Sequence, residues 1–182
     1  MTGLALAADA AANLAATDVA RTRELLAALR TDARTAIGDI RRLVDDLRPP
    51  ALDELGLVRA LRQRAEQMAW RADGGAVRVR LDAPDEDLSL PAATEVAAYR
   101  IATEALTNVV RHSGASSAVL ALRCADTLEI EILDDGHPDG AWQPGVGLTA
   151  MRERAAELGG RFQAGPTPAG GRVFVSLPLA TR

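Results

Sequence analysis

Four polar residues, Arg100, Glu104, Asn108 and His112, recur at intervals of four among the apolar residues Ile101, Ala105, Leu106 and Val109. On a helix that spacing sets them along one slowly drifting face. A polar row crossing so hydrophobic a helix either faces water or lines a site. Further along, LEIEILD runs into Asp134-Asp135-Gly136, which puts a carboxylate at the end of a strand and a glycine where the backbone turns sharply or lets a ligand close. Gly145-Val146-Gly147-Leu148 then opens another helix. Glycines just ahead of a helix expose backbone N–H groups at its positive end, an arrangement that suits a phosphate. Arg152 and Arg154, about one turn in, add positive charge. Each of these pieces is a common junction by itself.

The elements that would position them follow from periodicity and punctuation. From about 18 to 47 there is no Pro and no Gly except Gly38, and Leu26, Leu29, Ala33, Ala36, Ile40, Leu43 and Leu47 alternate at spacings of three and four. That is the seam of a coiled coil or helical bundle. Thr17 and Asp18 together resemble an N-cap, and the apolar stretch before them supplies a partner helix. Two such hairpins make a four-helix bundle, so the seam predicts a homodimer through the N-terminal helices. The alternative is a hairpin that packs on its own C-terminal domain.

Arg48-Pro49-Pro50 stops the long helix. The expected organisation is therefore a partial helical hairpin over 1–48, a linker over 49–56 and a second domain over 57–182. Within that domain the sequence predicts a helix over about 57–72 and a strand carrying the alternating Val77, Val79 and Leu81. A long helix over about 92–112 carries the polar row, and the strands SAVLALRC and TLEIEILD follow. Cys124, inside the first of these strands, reads as a small core residue. The Gly- and Pro-rich stretch 136–147 reads as a mobile loop. A helix over about 148–158, a Gly159-Gly160 stop and the strands RFQAG and RVFVSLPL complete an α+β, two-layer sandwich.

Composition narrows the function. The 21 basic residues, all Arg, are outnumbered by 25 acidic ones for a net charge of −4, so nucleic acid is not the expected partner. No apolar run reaches the ~18 residues of a membrane span, and the first residues lack a basic n-region. A cytoplasmic chain without membrane contact of its own is expected, although a full-length parent could be membrane-anchored.

In their order, EALTNVVRHS, DDGHPDG and GVGLTAMRERAAELGG resemble the N box and the first and second glycine boxes of the GHKL superfamily of ATP-binding domains. In particular they resemble sensor histidine kinases of the NarL-partnered subfamily. LRPPALDELGLVRAL resembles the stretch by which that subfamily joins its dimerisation hairpin to its catalytic domain. The resemblance covers nearly the whole chain from about Gly3, and it implies a Bergerat-type ATP-binding fold using ATP and Mg²⁺. It implies that Asn108 offers its side-chain oxygen to Mg²⁺ and that Glu104, one turn earlier, polarises a water near the metal. Arg100 would pair with Glu104, and His112 would either approach the phosphates or serve the helix end. Asp134 would accept a hydrogen bond from the adenine amino group, Gly136 would let the base approach, and Gly145, Gly147 and Leu148 would form the phosphate cradle. Trp142 would belong to a lid or pack against the sheet. Pro138 stands where the family has a glycine, a departure that would stiffen the lid.

The resemblance further implies a NarL-type response regulator as partner. Kinases of this class phosphorylate a histidine on the first hairpin helix, whereas the only histidines here are His112 and His137. The chain is therefore expected to lack the phospho-acceptor segment and to act as the ATP-binding catalytic portion of such a kinase. A non-catalytic, ATP-responsive dimerising regulator of the same fold is the alternative, and a serine-directed kinase of this fold a third.

Overall fold

The computed structural model describes residues 12, 18–19, 21–31, 48–68, 75–85, 88–136 and 145–179. The chain divides into two compact units, Met1–Arg48 and Pro49–Arg182. In the first unit 21–31 is helical. Its start follows from Asp18, whose Oδ1 accepts the N–H of Arg21 at 2.9 Å while the Thr22 N–H closes the turn on the Asp18 carbonyl at 3.0 Å. This is the N-cap arrangement, in which a side-chain oxygen meets one of the unpaired first-turn donors. The seam from Ala33 to Leu47 lies outside the described residues.

In the second unit helix α1, Pro50–Gln67, begins where a linker over 49–56 was expected. Proline ends a helix it follows but suits the first position of a helix it starts, because its missing N–H is not needed there and its φ is preset. Leu52 is thereby buried in the core. The interruption comes at Gly56, whose φ of 69° and ψ of 172° break the helical run. After it the helix resumes and buries Leu57, Val58, Leu61 and Ala65.

Strand β1 (Arg78–Asp82), helix α2 (Ala92–Asn108), a π turn over Val109–Ser113, strands β2 (Ser117–Cys124) and β3 (Thr127–Asp134), helix α3 (Val146–Glu157) and strands β4 (Arg161–Thr167) and β5 (Gly170–Pro178) follow in that order. The five strands form one sheet ordered β1-β2-β3-β5-β4. Only the β1–β2 pairing is parallel.

The period-two pattern decides which face is buried. Leu120 stands opposite Ile132 and Leu122 opposite Ile130, while Ile130 stands opposite Val175 and Leu128 opposite Leu177. All of these are buried, each contributing about 1.5–3 kcal/mol. Helices α1, α2 and α3 cover this face in sequence, α1 packing on α2 and α2 on α3. Ile101, Leu106, Met151 and Ala155 are fully buried between the layers. The opposite face carries Arg80, Arg123, Glu129 and Leu133, all exposed. Cys124, expected in the core, is exposed: it shares the parity of Leu120 and Leu122 but occupies the last position of β2, the edge of the buried run. Among the described residues no helix is long and apolar enough to cross a membrane.

Candidate functional site

Asp134 ends β3 and Asp135 follows it, and continued alternation sends the two carboxylates to opposite faces. Leu128, Ile130 and Ile132 point into the core, so Asp134 emerges on the helix-facing side at the sheet's rim. There its Oδ1 accepts the N–H of Gly136 at 2.9 Å. Around it the backbone is free of side chains. A methyl group at Gly171 would overlap Asp134 Oδ2 and stand 3.2 Å from its Cγ. One at Gly136 would stand 2.8 Å from Asp134 Oδ1 and overlap the Ser113 carbonyl oxygen.

Asp135 faces the other way and is fully engaged. Its Oδ1 accepts the backbone N–H groups of Ser116 (2.8 Å) and Ser117 (2.9 Å), and its Oδ2 accepts both serine hydroxyls at 2.8 Å. The Ser117 backbone donor, then the two hydroxyls, hold the Asp135 carboxyl far below the usual carboxylate range, against a smaller opposing effect of burial.

A second group forms where α3 begins. Gly145 is the N-cap residue, extended at φ −90° and ψ −177°, and no side chain caps the helix. Its first-turn N–H groups and positive dipole end therefore carry no side-chain cap. Gly147, the second residue of α3, lies against α2: a methyl there would overlap Glu104 Oε1 and stand 3.2 Å from Glu104 Cδ and 3.4 Å from the Asn108 amide nitrogen. Glu104, Asn108 and the start of α3 thus share one small space that a single Cβ would fill.

Helix α2 joins the two groups. Glu104 and Asn108 occupy its last turns, and the π turn carries the chain on to Ser113, whose carbonyl oxygen touches Gly136. At no more than ~1.5 Å of rise per residue, the path from Asn108 to Ser113 is roughly 7 Å. The spacing suits an elongated ligand with a polar ring at one end and anionic groups at the other. Single-turn π segments recur at functional sites because they re-aim the residues after them.

The remaining candidates separate. His112 sits in the π turn and is exposed. Gly145 has open space where a Cβ would be, so sterics do not demand a glycine there. Leu148 packs against the core. Arg152 lies over the ring of Phe162, 5.6 Å from its centroid, a cation–π contact that turns its charge toward β4. His137, Pro138 and Trp142 lie outside the described residues. Sequence reasoning missed Ser113, Gly170, Gly171 and the serines that hold Asp135. The repeated glycine before RVFVSLP was the available signal. A concavity of about 400 Å³ lined by Asp82, Pro84, Arg123, Cys124, Thr127 and Glu129 lies at the opposite end of β2 and β3; it holds none of the residues that the sequence singles out for chemistry.

A helical region followed by this mixed two-layer sandwich is the histidine-kinase ATPase fold. The histidine kinase domain of the Erythrobacter litoralis EL346 blue-light activated histidine kinase aligns with a TM-score of 0.52, covering 68% of this chain and 59% of that one at 24% identity. In sequence the chain is homologous to histidine-kinase catalytic domains. It is 38% identical over 142 residues to the signal transduction histidine-protein kinase/phosphatase UhpB of Salmonella typhimurium, covering 76% of this chain and 28% of UhpB. It is 35% identical over 150 residues to the sensor histidine kinase MctS of Rhizobium johnstonii, covering 79% and 32%. The chain spans less than a third of the length of these relatives.

Residues 1–52 match the HisKA_3 histidine kinase family. This corrects the expectation that the chain lacks the phospho-acceptor domain. The expectation took the lack of one residue type for the lack of a domain, yet His112 and His137 are the chain's histidines and both lie outside the matched stretch. What specifies a helical hairpin is its apolar seam and its stop signal, and neither depends on one imidazole.

Proposed function

We propose that this chain is the ATP-binding catalytic portion of a two-component sensor histidine kinase, binding Mg-ATP for phosphoryl transfer to a histidine and onward to an aspartate of a NarL-type response regulator in the cytoplasm. The observation that carries the reading is the pair of close backbone approaches at one end of α2, Gly147 against Glu104 and Asn108, and Gly136 and Gly171 against Asp134. At each approach only a glycine leaves room for the carboxylate beside it, and the chemistry of the two groups matches the two ends of a nucleotide.

Asp134 would accept a hydrogen bond from the adenine amino group, where guanine presents a carbonyl oxygen that cannot donate. The uncapped start of α3, with Gly147 flush against α2, leaves backbone N–H donors for phosphate oxygens. Asn108 would hold Mg²⁺ through its side-chain oxygen, and Glu104 would orient a water beside it. A Mg²⁺ held by Asn108 would supply charge neutralisation for the phosphates, so that catalysis would rest on positioning and charge.

Homodimerisation through the first unit is part of this reading. Val19 and Leu26, seven positions apart on the described helix, are 56% and 53% exposed. That apolar face supports a helical partner such as a second copy.

The test is calorimetry of the chain with ATP, with and without Mg²⁺. Mg-dependent binding is expected, and Asn108→Asp should weaken it at least about tenfold, because replacing a neutral metal ligand beside the triphosphate with a carboxylate adds like-charge repulsion. Binding indifferent to both Mg²⁺ and this substitution overturns the assignment. With γ-labelled ATP and a separate histidine-bearing acceptor hairpin, label on that hairpin supports the kinase. Binding without labelling supports the non-catalytic ATP-responsive regulator.

A further inference from the structure

We propose that Asp135 is a positioning residue for base recognition: by fastening the Ser116-Ser117 corner it holds Asp134 and the Gly136 N–H as a fixed edge against which the base docks. The inference rests on the reading of Asp134 as the group that meets the base.

The hydrogen-bond distribution leads to it. Asp135 accepts four hydrogen bonds, all from two consecutive residues and all between 2.8 and 2.9 Å. Its own N–H donates to the Ser117 carbonyl at 3.2 Å. The corner it grips is tied in turn to the sheet edge, since the Arg78 N–H donates to the Ser116 carbonyl at 2.9 Å. Closing the strands does not require so much. The β2–β3 ladder already ends at the pair Ala118 and Asp134, one residue before the clamp. What Asp135 adds is order just beyond the ladder, over the residues that form the base cradle. Asp134 itself accepts the Gly136 N–H, and Gly136 lies against Ser113, in which the Oγ accepts the Ala115 N–H at 3.0 Å. The stretch from Ser113 to Ser117 therefore wraps the end of β3 from both sides, with Asp135 as its fastening.

The two aspartates divide the work by strand parity. One is saturated with donors and turned away from the helices; its neighbour stands between glycines on the helix-facing side. Without the clamp, residues beyond the ladder would fray, and a misplacement of ~1 Å in a positioning group costs up to about a hundredfold.

The experiment compares Mg-ATP and Mg-GTP binding by calorimetry in the full chain. Asp135→Ala should weaken Mg-ATP binding about tenfold or more and shrink the preference over Mg-GTP. Asp135→Asn should restore both to within about threefold, because an amide keeps an oxygen for the two backbone N–H groups and offers its own N–H groups to the serine oxygens. Should Asp135→Ala fail to fold, the Ser116→Ala, Ser117→Ala double variant, which retains the two backbone donors, must still reduce the preference. Asp134→Asn separates the two claims. If it leaves the ATP-to-GTP ratio unchanged, the reading of Asp134 fails. If it abolishes the ratio while Asp135→Ala and the serine variant leave binding and ratio intact, the clamp inference is overturned.

Discussion

Replacing Gly147 by alanine should separate folding from nucleotide binding. Gly147 is helical, the second residue of α3, so an alanine fits the backbone, and the freedom lost from the unfolded chain stabilises the protein by about 0.4–1 kcal/mol. Opposing this, the new methyl overlaps Glu104 Oε1 and stands 3.2 Å from its Cδ. The obstructing group is the far end of a flexible side chain, which escapes by leaving its preferred rotamer at a cost of about 0.5–1.5 kcal/mol. The two terms nearly cancel. A net change within about 1 kcal/mol moves the melting temperature of a chain this size by at most about 4 °C.

Function has no such compensation. The methyl stands 3.4 Å from the Asn108 amide nitrogen and fills the space where the start of α3 and the Glu104 carboxylate meet. Displacing positioned groups by ~1 Å costs up to about a hundredfold, so Mg-ATP affinity should fall about ten- to a hundredfold at nearly unchanged stability. Thermal melts and calorimetry measure the two quantities. The same substitution in a Glu104→Ala background tests the cause: with the carboxylate gone, the part of the effect due to displaced Glu104 disappears, and the residual is crowding by the methyl alone. Wild-type Mg-ATP affinity in a normally folded Gly147→Ala protein would refute the reasoning, because the space between α2 and α3 would then play no part in binding.

Much of this architecture was legible in the sequence for physical reasons. Alternation at Leu128, Ile130 and Ile132 specifies both a strand and its buried face, and it thereby sends Asp134 to the helix side. Gly147 announces itself because a glycine in the first turn of a helix loses stability unless something needs the room. Non-local features left weaker traces. Gly171 reads as half of a hairpin turn between β4 and β5; its contact with Asp134 exists only because β5 inserts beside β3 and leaves β4 at the edge, a pairing order that local pattern does not encode. The Asp135 clamp depends likewise on the register of β2 against β3. The π turn has no compositional signature, since one widened turn uses the same residue types as the helix before it. Pro49-Pro50 illustrates an ambiguity of another kind: the residues that end one helix also begin the next, and the helix from Pro50 starts inside the stretch expected as a linker.

Two further outcomes follow from the carboxylates. Gly171→Ala places a methyl over Asp134 Oδ2 and should lower the ATP-to-GTP affinity ratio about tenfold or more, leaving Mg²⁺ dependence in place; competition binding at fixed Mg²⁺ reads it, and an unchanged ratio separates Gly171 from the base. The second outcome concerns pH. The folded-state pKa of Asp135 is lowered by its donors, below an unfolded value of about 3.9, so as pH falls the unfolded chain binds the proton first. The stability contributed by the clamp is therefore fully present above about pH 5 and is lost as pH drops through that unfolded value toward the folded one. Asp135→Asn does not titrate there, and subtracting its urea midpoints from those of the native sequence between about pH 3 and pH 7 removes the titration common to both. The facing partners Ser116 and Ser117 carry no titratable group, and Arg78 is the charged residue paired in register with Ser117. The difference should be constant down to about pH 5 and shrink below it; a flat difference over the whole range means that the four hydrogen bonds do not favour the ionised carboxylate, and the charge-assisted clamp is then wrong.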